Sequence, residues 1–258
     1  GFNTATLTVD GPSLARDGGQ YRVILTSDEG CDVISDNATL TINPRAIINA
    51  QPTDQATCDG EGATFQVTAA ASPVVTAYQW EVQTGGAGPW ANVVGPEYSG
   101  ANSPTLDISS APLAFNTNKY RVTLFTNGPC SITSNEVTLT VNANPTASIT
   151  QVPGGDLCYD DIVTLDATPA GGGGGYIHAW SGDVTPLDAT DIEDPEFTAP
   201  SVGSPTTYNI LYTVQDVNTC QGTDNITVTV NPEVQTAVLT GDASVCPGFN
   251  SEAFVTIT

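Results

Sequence analysis

The sequence predicts an all-β protein made of tandem two-layer β-sandwiches arranged end to end as a rod. Three observations carry this: apolar residues alternate with polar ones in short runs, Gly, Asn and Pro punctuate those runs, and one pattern recurs about every hundred positions. Threonine and valine, which favour strands, dominate, while only 13% of the 258 residues are charged and methionine is absent. Low charge with abundant Gly and Pro can also mark a disordered chain. A hydrophobic content of 39% in regular alternation argues for packed cores instead. The length suits two to three sandwiches rather than one.

The recurrence sets the organisation. Residues 19–43 (GQYRVILTSDEGCDVISDNATLTIN) align with 118–142 (NKYRVTLFTNGPCSITSNEVTLTVN), matching Tyr21 to Tyr120 and Cys31 to Cys130 at an offset of 99, that is 120 minus 21. Residues 206–231 read as a third copy, with Tyr208 and Cys220 in the corresponding places. A second element, Cys followed by a polar turn and an alternating strand, recurs at Cys58, Cys158 and Cys246. Asn-Pro pairs at Asn43-Pro44, Asn144-Pro145 and Asn231-Pro232 mark boundaries, because proline gives no ladder donor and fixes φ. Residues 1–43 are therefore expected to be the last strands of a truncated sandwich. Residues 44–143 and 144–231 are expected to be two complete ones, and 232–258 the first strands of a fourth. With no signal peptide and Gly1 in place of Met, the sequence is expected to be an internal piece of a longer chain.

Within 44–143, period-2 alternation predicts strand A over 45–50, strand B from Ala63 to Ala70 and strand C from Tyr78 to Val82 with Trp80 inward. A C′-like strand follows from Trp90 to Val94, then E from Pro104 to Ile108, F from Tyr120 to Thr126 and G from Ile132 to Val141.

A Trp in strand C, an L-x-I strand and a Tyr opening strand F resemble the immunoglobulin-like fold. Asp17-Gly-Gly-Gln-Tyr21 is similar to that family's tyrosine corner, in which the Tyr hydroxyl bonds to upstream backbone. Asn116 replaces the Asp in the complete domain, which the resemblance reads as a weakened corner. Val67 and Val122 fall where antibody domains carry their buried disulfide. Trp180-Ser-Gly-Asp183, with the later alternation from Tyr208 to Asp216, resembles PKD-type sandwiches, although the second Gly and the Phe of that signature are missing. With the Asn-Pro linkers, these features look like repeat regions of giant surface adhesins from gliding or biofilm-forming Bacteroidota. That resemblance implies a type IX-secreted, extracellular protein on the bacterial cell surface, whose partners are neighbouring repeats of the same chain or homotypic filament subunits.

Six regularly spaced cysteines in such a chain read as disulfides. Zinc is disfavoured, because no Cys-x-x-Cys exists and there is one histidine. Pairing within a domain would join Cys58 to Cys130 and Cys158 to Cys220. The immunoglobulin-like topology puts these at opposite ends, roughly 17–20 Å or more apart, against the ~4.4–6.8 Å between Cα atoms that a disulfide allows. The favoured pair is instead Cys58–Cys220 across a domain junction, leaving Cys31, Cys130, Cys158 and Cys246 for other domains. The intradomain scheme stays open.

Little else suggests chemistry. His178, the sole histidine, reads as a loop or strand residue without a nucleophile, and Gly171–Gly175 reads as a flexible B–C connection rather than a phosphate loop. The acidic set Asp183, Asp188, Asp191, Glu193, Asp194, Glu196 and Asp216, with Asp160 and Asp161, is the candidate site for calcium, a hard cation needing six to eight oxygen ligands. Trp90 and Tyr98 read as core residues ahead of a glycan-stacking platform. A formal charge of −23, from 28 acids against five bases, repels phosphate backbones and anionic membranes. No run approaches the ~20 apolar residues of a membrane helix, so neither nucleic acid nor membrane insertion is expected. The expected function is a non-catalytic structural repeat of an adhesin, stalk or filament. A carbohydrate- or partner-binding module, or a spacer of a secreted multidomain enzyme, is the alternative.

Overall fold

The computed structural model describes residues 4–233, 238–241 and 253–256. It is all-β, and its contacts divide the chain into two units, 1–142 and 143–258, with one apolar core in each.

In the first unit, residues 4–43 form two small antiparallel pairs: β1 (Gln20–Tyr21) with β4 (Ala38–Thr39), and β2 (Ile24–Thr26) with β3 (Asp32–Ile34). No residue from 4 to 43 is buried, and Leu25 and Val33 are 63% and 68% exposed.

Residues 44–142 form a two-layer sandwich. One sheet runs in the order β10 (Ala91–Asn92), β9 (Val75–Gln83), β13 (Lys119–Thr126), β15 (Val137–Asn142) and β6 (Gln55–Cys58), with β14 (Ser131–Thr133) also on β13. The other runs β11 (Tyr98–Ser99), β12 (Thr105–Ile108) and β7 (Ala63–Gln66), while β5 (Ile48–Ala50) pairs with β8 (Thr68–Ala69). In β13 the side chains of Tyr120, Val122, Leu124 and Thr126 are buried, and their neighbours point away, as a period of two requires. Trp80 faces Val122 across the sheet, and Phe65 from the other layer packs on the Tyr120 ring at 4.9 Å. Val67 and Val122 are 2% and 0% exposed, filling with aliphatic atoms the space where antibody domains carry a disulfide.

Three strands differ from the sequence reading, strand B being divided into β7, which pairs with β12, and β8, which pairs with β5. The first is split: β5 belongs to one sheet, and after buried Pro52 the chain crosses to the other as β6, parallel to β15. The last is broken between β14 and β15, where the Val122 N–H donates to the Ser134 hydroxyl at 3.0 Å and the Ser134 N–H to the Val122 carbonyl at 2.8 Å. A residue spent on a side-chain bond shifts the register, so Val137 again points inward.

The second unit repeats the plan with fewer strands. One sheet is β20 (Ile177–Gly182), β22 (Thr206–Gln215) and β23 (Gln221–Val230), and the other is β17 (Ile149–Val152), β18 (Ile162–Ala167) and β21 (Glu196–Thr198). β16 (Pro145–Thr146) pairs with β19 (Ala170–Gly171). Leu157 bridges Val230 in parallel, as β6 does β15. Two of the three tryptophans make matching bonds: the Trp80 indole N–H donates to Ser103 O at 2.9 Å and that of Trp180 to Ile192 O at 2.8 Å. Beyond this core, β24 (Val238–Gly241) and β25 (Ala253–Thr256) form an antiparallel pair. Cys246 lies outside the described residues.

The third repeat needs re-registering. Trp80 faces Val122 and Trp180 faces Tyr212, so Tyr212 is the counterpart of Val122 and Ile210 that of Tyr120. Tyr208, aligned with Tyr120 by sequence, sits one inward position earlier and is only half-buried. Counted this way, Thr126 and Asp216 correspond, and each precedes its cysteine by four residues (130 minus 126, 220 minus 216).

Candidate functional site

The five cysteines among the described residues lie in two kinds of loop, and each sandwich places those loops at opposite ends. Cys58 closes β6 directly beside Asn142, the last residue of β15, and the Asp59 N–H donates to the Asn142 carbonyl at 2.8 Å. Cys130 lies in the turn after β13, where Thr126 donates to the carbonyls of Pro44 and Cys130 at 2.9 and 3.3 Å. Pro44 starts this sandwich and Asn142 ends it. In the second sandwich Cys158 follows Leu157, which bridges Val230 at the end of β23, whereas Cys220 immediately precedes β23. Ten strand residues separate the two ends, about 33 Å at 3.3 Å each. Cys58 and Cys220 are disulfide-bonded, while Cys31, Cys130 and Cys158 carry free thiols. The intradomain pairs Cys58–Cys130 and Cys158–Cys220 are therefore not formed.

The loop that presents Cys220 is held by one carboxylate. Asp216, 2% exposed, accepts hydrogen bonds from the N–H groups of Gly173 at 2.6 Å, Asn218 at 2.9 Å and Cys220 at 2.9 Å. The Gly173 bond, reinforced by those from Cys220 and Asn218, holds the carboxyl below the usual carboxylate range against the opposing effect of burial. Gly171–Gly175, expected to be a flexible connection, packs closely on this turn. A Cβ on Gly172, whose φ is +58°, would lie 2.7 Å from Asp216 Oδ2, and one on Gly173 would lie 2.5 Å from Asn218 Nδ2.

Four of the other acidic residues proposed for calcium each accept from one backbone amide. Asp183 accepts from the Asn209 N–H at 2.8 Å, Asp188 from Glu196 at 2.8 Å, Asp194 from Ala167 at 3.0 Å, and Asp161 from Cys158 at 2.7 Å. Asp160, Asp191, Glu193 and Glu196 are exposed. Among the described residues, no three His, Cys, Asp or Glu side chains gather as a metal site.

His178 lies on β20 with Nδ1 2.7 Å from the Tyr212 hydroxyl, and the two rings stack at 6.0 Å. Burial, with the nearby charges of Glu193 and Asp194, pushes the Tyr212 phenol up to about 12. Tyr98 joins the first core, stacked on Phe115 at 5.6 Å, and its hydroxyl lies 3.1 Å from that of Tyr120. Burial pushes both phenols upward. This corrects the tyrosine-corner expectation for Tyr120, whose hydroxyl meets a second Tyr. The crossover is held by Asn116 instead. Its Oδ1 accepts from the Val141 N–H at 3.0 Å, the bond that Asp17 Oδ1 takes from Ile42 at 2.7 Å. Trp90 is half-buried beneath Arg121, whose Cζ lies 4.2 Å from the ring centre and whose Nε is 2.8 Å from Glu81.

Among the described residues, no helix is long and apolar enough to cross a membrane. No protein-family model matches the chain, and no curated protein matches it. Solved structures do. Extracellular domains 3–5 of Drosophila OTK match at 16% identity and a TM-score of 0.40, over 84% of this chain and 71% of that one. The N-terminal eight immunoglobulin domains of Down Syndrome Cell Adhesion Molecule match at 18% and 0.48, over 84% of this chain and 31% of that one. The titin I-band fragment I67–I69 matches at 12% and 0.39, over 83% and 76%. At such scores the assignment of tandem immunoglobulin-like sandwiches rests on the chain's own strand pairing.

Proposed function

We propose that this chain is a non-catalytic structural repeat segment of an extracellular bacterial surface adhesin, stalk or filament, whose successive sandwiches are stapled by a cystine between Cys58 and Cys220. One observation carries the reading. Cys58 and Cys220 are oxidised while Cys130 and Cys158, their partners under any intradomain scheme, are free thiols at the far ends of the same sandwiches. By the same rule Cys31, Cys130 and Cys158 are the half-cystines of neighbouring junctions, formed with adjoining repeats or homotypic filament subunits. A disulfide in a chain of −23 suits an oxidising compartment outside the cell. Short polar links between domains otherwise permit motion, so a covalent clamp at each junction gives a stiff, protease-resistant array.

Small-angle X-ray scattering with limited proteolysis tests this. The oxidised protein is expected to have a single, long maximum dimension and to resist cleavage between residues 142 and 148. Reduction, or Cys58→Ser, is expected to broaden the distribution of dimensions and open that segment to protease. Identical behaviour of the oxidised and reduced protein would contradict the staple.

A further inference from the structure

We infer that the residue four positions before each F–G cysteine, Ser27, Thr126 or Asp216, is a positioning residue that fixes the cysteine for disulfide formation. Three chemically different side chains at the same place make local bonds to the cysteine's own backbone. In the first loop, the Ser27 N–H donates to Cys31 O at 2.9 Å, the Gly30 N–H to Ser27 O at 2.9 Å, and the Cys31 N–H to Ser27 Oγ at 3.1 Å. In the third, the Asp216 N–H donates to Cys220 O at 2.9 Å, the Thr219 N–H to Asp216 O at 3.0 Å, and the Cys220 N–H to Asp216 Oδ1 at 2.9 Å. The same three bonds recur, two between backbone groups and the third accepted by a hydroxyl in one loop and a carboxylate in the other. Thr126 ties its cysteine from the opposite side, donating to Cys130 O.

The third loop also stores strain beside its cysteine. Thr219, a β-branched residue, has φ +68° where the first loop has Gly30 at +80°. The surrounding bonds over-determine that conformation, and the residue they fix next is Cys220. Asp216 further anchors the turn to the sandwich body through Gly173. Such a pattern serves a reaction that needs one sulfur held in place.

The reaction is thiol oxidation by a small disulfide such as oxidised glutathione. One cysteine thiolate attacks it and releases a glutathione thiolate, leaving a mixed disulfide; the second cysteine thiolate then displaces the other glutathione thiolate. Two electrons pass to the oxidant, and each thiol loses its proton to solvent. Holding one sulfur in place raises the effective concentration in the second, intramolecular step.

This rests on the Cys58–Cys220 pairing proposed above. The test re-oxidises the fully reduced chain in glutathione buffer and follows Cys220 by alkylation quenching and mass spectrometry. Asp216→Ala is expected to slow Cys220 oxidation about tenfold and divert it into mixed disulfide, and Asp216→Ser to restore it to within about threefold. Asp183→Ala, which removes another backbone-capping carboxylate from the same sandwich away from any cysteine, is expected to leave the rate unchanged. If Asp216→Ala does not fold, Asp216→Val removes the acceptor for the Cys220 N–H while keeping side-chain bulk and is expected to slow Cys220 oxidation to a similar extent. Wild-type kinetics in Asp216→Ala or Asp216→Val, no rescue by Ser, or equal slowing by Asp183→Ala would overturn the inference. Absence of the Cys58–Cys220 pair from the wild-type protein would instead overturn the functional reading beneath it.

Discussion

At Asp216 one carboxylate holds three backbone amides, and its charge state is part of that work. Its hydrogen bonds favour the ionised form, so its folded pKa lies below the ordinary value of 3.8. The stabilisation is then fully present above that value and is lost as the pH falls below it toward the depressed folded value. Acid titration followed by near-ultraviolet circular dichroism should show the wild-type second sandwich surviving to lower pH than Asp216→Ser. Equal acid midpoints would contradict the assignment. A second residue-scale pair, Tyr98 and Tyr120, makes an asymmetric prediction. The Asn118 side chain also acts on the Tyr120 phenol, favouring its ionised form, so Tyr98→Phe leaves it a polar neighbour. Tyr120→Phe instead strands the partly buried Tyr98 hydroxyl, at a cost of about 1–2 kcal/mol. Denaturant midpoints are expected to fall further for Tyr120→Phe than for Tyr98→Phe, and the reverse order would contradict the hydroxyl pair.

The strands were legible in proportion to how strictly they alternate. β13 keeps period two over eight residues, and the sequence reading that puts Val122 at an inward place matches its burial. The same logic failed for β14 and β15, because Ser134 is spent on a side-chain bond that propensity cannot foresee, and for the first strand, because crossing between sheets leaves no mark on periodicity. The third repeat was misregistered for a related reason. Tyr208 resembles Tyr120 in type, and only the cross-strand pairing of Trp180 with Tyr212 shows that Ile210 holds the place. Packing at these strands gives measurable expectations. Leu106→Ala and Leu165→Ala, at fully buried positions in separate cores, should each cost about 2–5 kcal/mol. A loss under 1 kcal/mol would contradict a close-packed core. Between β20 and β22, Tyr212 stays protonated in the fold up to about 12. The unfolded chain releases that proton near 10, so the contribution of Tyr212 to stability is expected to be flat below pH 10 and to decline from there to about 12. Tyr212→Phe should flatten that decline.

For the whole molecule, the sequence reading reached the tandem sandwiches and the two kinds of cysteine loop, because both recur. It did not reach the tether. Ser27, Thr126 and Asp216 share no chemistry beyond an oxygen, so they align only once the cysteines and the inward faces fix the register. In the acidic loop the carboxylates are close in sequence, and Asp183, Asp188 and Asp194 each turn to a different backbone amide. What unites the chain is a repeating two-layer core whose ends carry cysteines facing away from each other.

The most direct test is non-reducing peptide mapping of the alkylated protein after cleavage before aspartate. That cut isolates Cys58 in residues 54–58, Cys158 in 156–159 and Cys220 in 216–223. The account predicts a single species joining 54–58 to 216–223, with Cys130 and Cys158 alkylated. Recovery of Cys58 joined to Cys130, of Cys158 joined to Cys220, or of all these cysteines as alkylated thiols would contradict it.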